Sequence, residues 1–300
     1  MDWRDVSVIL PTIEEKGAFI TIDKIKNLMP GCEIIVVDKS SDEYRKKIRA
    51  KKVKLIEQKS KGYENALMEG FASAKGSILA TIDPDGTYYT EDLVKVINLI
   101  KIDDADFAIG NRMKFSEKDA MNGYLKFGNL NITKIYNIFY KIGIHDVLCG
   151  IFAMKRRVFE SIKNVEPYRA GTLFFILEAT KAGYKKIKEV EIKYSKRPEG
   201  TESKLAKSKF IYGLGVAIYT IRSARDYSPL LIFGGIGSLL IIAGIIIGAL
   251  VIANFLHTGS FNEFGRALIA FMLVIIGFFS IIAGLILDLL LQIAKKIDKL

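Results

Sequence analysis

The chain has 300 residues, enough for one sizeable domain and an appendage. Its net charge is +11, but the basic residues are dispersed and carry no helix-turn-helix, zinc or RNA-recognition signature, so nucleic acid is not the expected partner; an anionic membrane leaflet, worth about 1 kcal/mol per nearby Lys or Arg, accounts for the charge more simply. Only two cysteines, Cys32 and Cys149, and two distant histidines, His145 and His257, argue against a disulfide framework and a His-based zinc site.

Short apolar runs alternate with helical spacing through the first half. Residues 6–10 read as a strand ending at Pro11-Thr12, 18–29 as a helix, 33–37 as a strand ending at Asp38, and 53–56 as a third strand. Residues 63–74 have helical spacing. The run 78–82, bounded by Gly76 and Pro84, reads as a buried strand. A helix over 91–100 with Thr90 as its cap follows, then a strand over 107–109 ending at Gly110-Asn111-Arg112. Such alternation predicts a mostly parallel sheet with covered faces. Residues 124–142 form a helix, either amphipathic and interfacial or packed on the sheet as an ordinary surface helix. Strands over 151–154 and 187–194 flank a helix over 173–182.

From 205 to 222, Lys and Arg flank an apolar run that reads as a juxtamembrane helix. Residues 230–253 contain no charge, and neither do residues 267–287. At ~1.5 Å per residue the first stretch is about 36 Å long, enough for a ~30 Å hydrocarbon core, so two transmembrane helices are expected. Arg222 and Arg225 precede the first span, Lys295, Lys296 and Lys299 follow the second, and the loop 254–266 holds only Arg266. That asymmetry predicts cytoplasmic termini and a cytoplasmic catalytic domain. Met1-Asp2-Trp3-Arg4-Asp5 has no apolar region of a signal peptide. The expected division is 1–204 for an α/β domain, 205–228 for the amphipathic juxtamembrane helix, and 229–300 for a transmembrane hairpin.

The most informative stretch is Asp83-Pro84-Asp85-Gly86. Asp83 leaves the carboxyl end of a strand and Asp85 follows on the turn, pointing into the crevice where open α/β sheets bind ligands. Two such carboxylates suit Mg²⁺ or Mn²⁺ completed by substrate phosphates; the alternative is a Pro-Asp-Gly turn with two solvated acids. Polar groups recur at the other strand ends: Thr12 with Glu14 and Glu15, Asp38, and Arg112. A sheet edge of that kind makes a nucleotide pocket with a metal under the diphosphate.

In this order the motifs resemble the family-two, GT-A-fold glycosyltransferases, and within them the dolichyl-phosphate mannose synthase and polyprenyl-phosphate glucose synthase group. The resemblance covers about residues 6–210. Pro11-Thr12-Ile13-Glu14-Glu15 matches Pro-Thr-x-Asn-Glu with Glu14 for Asn, and Val37-Asp38-Lys39-Ser40-Ser41-Asp42 matches Val-Asp-Asp-Gly-Ser-x-Asp. Lys61-Gly62 with Ala66 is similar to Gly-Lys-Gly-x-x-x-Ala, Asp83-Pro84-Asp85 is the Asp-x-Asp, and Gly110-Asn111-Arg112 stands for Gly-Asn-Arg. Asp146 to Phe152 resembles Asp-x-x-Ser-Gly-Phe. Arg197 to Leu205 resembles Arg-x-x-Gly-Glu-Ser-Lys-Leu with one residue inserted.

The resemblance implies a GT-A (Rossmann-like) domain followed by the juxtamembrane helix and two transmembrane helices. It also implies a hexosyltransferase using a nucleotide sugar, GDP-mannose favoured and UDP-glucose or UDP-N-acetylhexosamine as alternatives. The implied acceptor is dolichyl or polyprenyl phosphate. Asp38 would hold the base or ribose, with Pro11, Thr12 and Glu14 or Glu15 beside it. Asp83 and Asp85 would ligate Mg²⁺ or Mn²⁺, and Asp85, Arg112 and Lys204 would form the catalytic set. Arg112, Arg197 and Lys204 would contact phosphates, Ser203 a phosphate oxygen, and Asp146 the sugar or a structural cap. Mannose synthases often add a Gln where Thr87 stands, which leaves the third metal ligand open. Membrane lipids are expected partners, and oligomerisation through the spans is compatible with this reading. A processive polysaccharide synthase is disfavoured, because Gln-x-x-Arg-Trp is missing: the only Trp is Trp3, and Gln occurs at 58 and 292. A non-catalytic nucleotide-sugar-binding protein would not require both metal acids.

Overall fold

The chain runs β1 (Val6–Thr12), α1 (Gly17–Leu28), β2 (Glu33–Asp38), α2 (Asp42–Ala50), β3 (Lys54–Glu57), α3 (Tyr63–Ser73), β4 (Ile78–Thr81), α4 (Thr90–Lys101), β5 (Phe107–Ser116), α5 (Gly123–Tyr140), β6 (Phe152–Lys155), α6 (Arg156–Ile162), α7 (Thr172–Lys181), β7 (Ile187–Tyr194), α8 (Lys209–Tyr227), α9 (Pro229–Thr258) and α10 (Phe264–Ile297). The computed structural model describes residues 1–117, 120–198 and 209–297, with the side chains of 209–212 and 295–297 left out. It divides into two units, Met1–Thr220 and Ile221–Leu300.

In the first unit seven strands form one sheet in the order β3-β2-β1-β4-β6-β5-β7. β1 pairs in parallel with β2 and β4, β2 with β3, and β5 with β7; β6 alone runs antiparallel, between β4 and β5. All of β1 and nearly all of β2 are buried, the near-continuous apolar pattern of strands covered on both faces. One side of the core is aromatic: Phe71 of α3 meets Phe152 of β6, Phe159 of α6 and Phe175 of α7 at ring distances of 6.0, 5.7 and 5.6 Å.

This order positions the site. After β1 the chain moves outward to β2 and β3, then returns to place β4 on the other side of β1. The carboxyl ends of β1 and β4 therefore flank the switch point of the sheet, where ligands of open α/β folds bind. Because β6 is reversed, it begins at that same edge, and the segment that precedes it, including Asp146 and Gly150, is delivered there too.

Two helices escape the apolar-periodicity reading. α2 has the sequence DEYRKKIRA and buries only Tyr44 and Ile48, held instead by the Ser41 cap on the Tyr44 amide; α6 is seven residues long. β5 reaches Ser116 rather than Ile109, because its polar second half pairs with β7 after a register shift between Asn111 and Phe115. Thr90 is the first residue of α4 rather than its cap: Tyr89 occupies the cap position without a side-chain cap bond, and the acids Glu91 and Asp92 occupy the first turn.

In the second unit α9 and α10 carry segments of 30 and 31 residues, each containing an 18-residue stretch of mean hydropathy 2.8, long and apolar enough to cross a membrane. They pack through residues spaced by seven, Gly237, Gly244 and Val251 on α9 against Ala270, Gly277 and Gly284 on α10. At the Gly237–Gly277 crossing a Cβ on either residue would lie 2.5 or 2.6 Å from the other's carbonyl oxygen, so only glycine permits this approach. Ser280 Oγ donates across the pair to the Phe233 carbonyl at 2.8 Å.

Candidate active site

Two residues past β4 the chain turns sharply at Asp83-Pro84-Asp85-Gly86, and Gly86 supplies the positive φ of +84° that closes the turn. Asp83 Oδ1 accepts from Tyr63 Oη at 2.8 Å. Its other oxygen lies against Gly150, where a Cβ would come within 2.1 Å. Burial, reinforced by the neighbouring Asp85 charge, pushes the Asp83 carboxyl up to about 7. Asp85 is held on both sides: Oδ1 accepts from the Thr87 amide at 3.0 Å and from Thr87 Oγ1 at 2.6 Å. Its Oδ2 faces Arg197 Nη2 at 2.8 Å, and the same nitrogen lies 3.6 Å from Glu15 Oε1. The Thr87 hydroxyl thus orients Asp85.

Among the described residues no group of three His, Cys, Asp or Glu could hold a metal. Asp83 and Asp85 supply two carboxylates on one turn, and among the described residues the hydrogen-bond partner of the half-buried Asp83 is the neutral Tyr63. That donor set fits an ion such as Mg²⁺ or Mn²⁺, which takes its remaining ligands from phosphates and water.

The ends of β1 and β2 make the adjoining wall. Thr12 and Asp38 are register partners, and Thr12 Oγ1 donates to Asp38 Oδ1 at 2.7 Å. Ser40 adds its hydroxyl to Oδ1 at 2.5 Å and its amide to Oδ2 at 2.8 Å, so the buried Asp38 organises the β2–α2 loop. Glu14, at φ 53°, accepts from the Ser41 amide at 2.8 Å and donates its own amide to Ser40 Oγ at 2.6 Å. Glu14 therefore ties two loops together, while the Glu15 carboxylate faces Arg197. Pro11 is buried in β1 beside them.

Arg112 and Asp146 form a separate, buried pair. Arg112 Nε and Nη2 donate to Asp146 Oδ2 and Oδ1 at 2.7 and 2.8 Å, the Arg112 amide adds a third bond at 3.0 Å, and Asn129 Nδ2 a fourth at 2.6 Å. Burial alone would raise the Asp146 pKa; the Arg112 charge and these hydrogen bonds outweigh it and hold the carboxyl below its ordinary value. Arg112 Nη1 donates to Tyr88 Oη at 3.0 Å, and Tyr88 Oη accepts from the Gly150 amide at 2.8 Å. Each guanidinium nitrogen of Arg112 is thus already engaged within the protein. The pair braces Tyr88 and Gly150, which form the floor under Asp83.

Of the residues singled out in the sequence, Glu15, Asp83, Asp85 and Arg197 converge at the switch point. Pro11, Thr12, Glu14 and Asp38 line its wall, and Arg112 with Asp146 lies behind it. Ser203 and Lys204 fall outside the described residues. Sequence reasoning missed Tyr63, Tyr88 and Asn129; the available signals were Tyr63 directly after Lys61-Gly62 and Tyr88 two residues after the aspartate turn.

Residues 7–163 match the family described as glycosyl transferase family 2. The chain belongs to glycosyl transferase family 2. Among related family members, the Pyrococcus furiosus dolichol-phosphate mannosyltransferase is 32% identical over 225 residues, covering 69% of this chain and 60% of that protein. The low-salt glycan biosynthesis hexosyltransferase Agl6 of Haloferax volcanii is 30% identical over 167 residues, 52% of this chain and 40% of that one. The matches therefore span 60% or less of either relative's length. The Mycobacterium tuberculosis glucosyl-3-phosphoglycerate synthase, solved with Mn²⁺, UDP and glucosyl-3-phosphoglycerate, superposes with a TM-score of 0.55 at 18% identity, covering 74% of this chain and 80% of that one. It shares the mostly parallel, Rossmann-like GT-A fold with this family 2 chain.

Proposed function

We propose that this chain is a membrane-anchored hexosyltransferase that moves one sugar, with inversion, from a nucleotide sugar to a polyprenyl or dolichyl phosphate. GDP-mannose is the favoured donor, and UDP-glucose or UDP-N-acetylhexosamine are the alternatives. The observation that carries the reading is the Asp83–Asp85 turn at the switch point, facing Glu15 and Arg197. The names of the two family relatives, one a mannosyltransferase acting with dolichol phosphate and one a hexosyltransferase, support it.

Asp83 and Asp85 would hold Mg²⁺ or Mn²⁺, which when bound neutralises the departing nucleoside diphosphate. Tyr63 and Thr87 fix the two carboxylates in place before the donor arrives. The wall of Pro11, Thr12, Glu14, Glu15 and Asp38 would receive the nucleoside. Arg197, with Lys204 and Ser203 further along the same motif, would meet phosphate oxygens. A phosphate monoester has a second pKa near ~6 and is largely dianionic at neutral pH, so it attacks the anomeric carbon without a general base. Asp146, which could have served as a base for a hydroxyl acceptor, is instead engaged by Arg112.

In this reading residues 1–204 are the catalytic domain, 205–228 the juxtamembrane segment that contains α8, and 229–300 the membrane anchor with both ends cytoplasmic. The test is to incubate the purified full-length chain with polyprenyl phosphate and each labelled sugar nucleotide, then extract lipid. A lipid carrying a single sugar is expected. Transfer to a protein or free-sugar hydroxyl, with polyprenyl phosphate ignored, would overturn the proposal.

A further inference from the structure

Asp85 has one oxygen held by Thr87 and the other by Arg197, at 2.8 Å from Nη2. The second oxygen therefore already has a cation as its partner. A metal ligated there and a guanidinium bonded there are like charges competing for one carboxylate face. Resting on the metal role read above for Asp83 and Asp85, we propose that Arg197 is the resident counter-cation of Asp85. An entering divalent metal displaces it, the donor's diphosphate receives the displaced guanidinium, and metal and nucleotide therefore bind as one unit.

Three further features carry this inference. First, Arg197 Nη1 is buried and has no hydrogen-bond partner among the described residues, so the guanidinium keeps an unmet donor at the site's edge. Guanidinium geometry suits two oxygens of a diphosphate better than one carboxylate oxygen. Second, the backbone beneath it is latched to the turn that carries Asp85. The Ser195 amide donates to the Thr87 carbonyl at 2.9 Å, the Lys196 amide to Glu117 Oε2 at 3.1 Å, and Pro198 packs on Gly86. The side chain can therefore exchange partners by rotation alone. Third, Glu15 Oε1 lies 3.6 Å from the same nitrogen, so this cation already sits between two acids of the crevice.

The consequence is reciprocal coupling: the nucleotide tightens metal binding by the same factor by which metal tightens nucleotide binding. The test measures free Mn²⁺ by its electron paramagnetic resonance over the detergent-solubilised full chain, alone and with GDP or UDP. For the wild-type chain one of the two nucleotides should tighten Mn²⁺ about tenfold or more, the equivalent of 1.4 kcal/mol. Arg197→Met should bind Mn²⁺ alone about tenfold more tightly than wild type and lose most of the nucleotide's effect. Arg197→Lys, which keeps the charge, should stay close to wild type for Mn²⁺ alone. If Arg197→Met binds Mn²⁺ no better than wild type while Asp85→Asn abolishes binding, the metal site stands and the counter-cation role is wrong. If neither wild type nor Arg197→Met takes up Mn²⁺ with either nucleotide, the metal reading falls and this inference with it.

Discussion

The Arg112 guanidinium grips the Asp146 carboxylate with two near-parallel bonds of 2.7 and 2.8 Å, although 34 residues separate them in the chain. The pair is buried, and its outer nitrogen reaches Tyr88, so its first duty is to hold the strand β5 and the 146–150 segment in one geometry.

Asp146→Ala should therefore destabilise the first unit by about 3–5 kcal/mol, the usual cost of leaving one partner of a buried ion pair alone. Denaturant unfolding of the purified chain measures it. Arg112→Lys should recover only part of the loss seen in Arg112→Ala, because a point charge cannot make the two-pronged contact. A cost below about 1 kcal/mol for Asp146→Ala would mean that the pair is solvated like a surface bridge.

Asp85→Ala, and Asp83→Ala nearly as strongly, should lower sugar transfer by about a hundredfold or more, the several kcal/mol that a catalytic metal ion contributes, with thermal unfolding little changed. Gly150→Ala should mimic Asp83→Ala, since its Cβ would stand 2.1 Å from the Asp83 carboxylate oxygen. Near-normal turnover by either aspartate variant in Mg²⁺ or Mn²⁺ would remove the metal assignment.

Glu64 offers a pH signature away from the aspartates. It is buried at the start of α3 and accepts from the Gly171 amide at 2.6 Å, the residue preceding α7. Burial raises its carboxyl pKa more than its backbone hydrogen bonds lower it. The folded state thus holds a proton that the unfolded chain releases near pH ~4.3. Its contribution to stability is complete below that pH and is lost as pH rises through the higher folded value. Glu64→Gln keeps the acceptor and removes the titration. Its stability relative to wild type should grow as pH increases from 4 toward neutrality; a difference independent of pH would contradict the raised pKa.

For topology, Ser260→Cys in a Cys32→Ser background places a thiol in the exposed loop between α9 and α10. An impermeant maleimide should label it from outside intact cells. Labelling that requires permeabilisation would invert the proposed orientation.

Much of the fold was legible because buried parallel strands are short apolar runs punctuated by Gly and Pro. Ile78 to Thr81 between Gly76 and Pro84 is the clearest, and it alone placed Asp83 and Asp85 at a strand's carboxyl end. What stayed hidden depended on distant partners. Tyr63 meets Asp83 across 20 residues and Asn129 meets Asp146 across 17, contacts that no local period encodes. α2 was hidden for the opposite reason, since it packs through two side chains while all but one of the others are charged. Arg112 was legible as a motif residue, but its engagement by Asp146 requires β5 and the segment before β6 to share one edge of the sheet.

The seam between α9 and α10 is centred on small residues seven apart, flanked by aliphatic side chains such as Ile241 and Ile281. Between 230 and 253 and between 267 and 287 no side chain is charged. Within these stretches the polar side chains are the hydroxyls of Ser238 and Ser280, and Ser280 is spent on the Phe233 carbonyl of the neighbouring helix. Close packing through glycine with no charge along the stretch is what a membrane anchor requires. Under the function proposed above, the sugar would be joined to lipid on the face where the catalytic domain lies, so moving the glycolipid to the opposite leaflet would be a separate step.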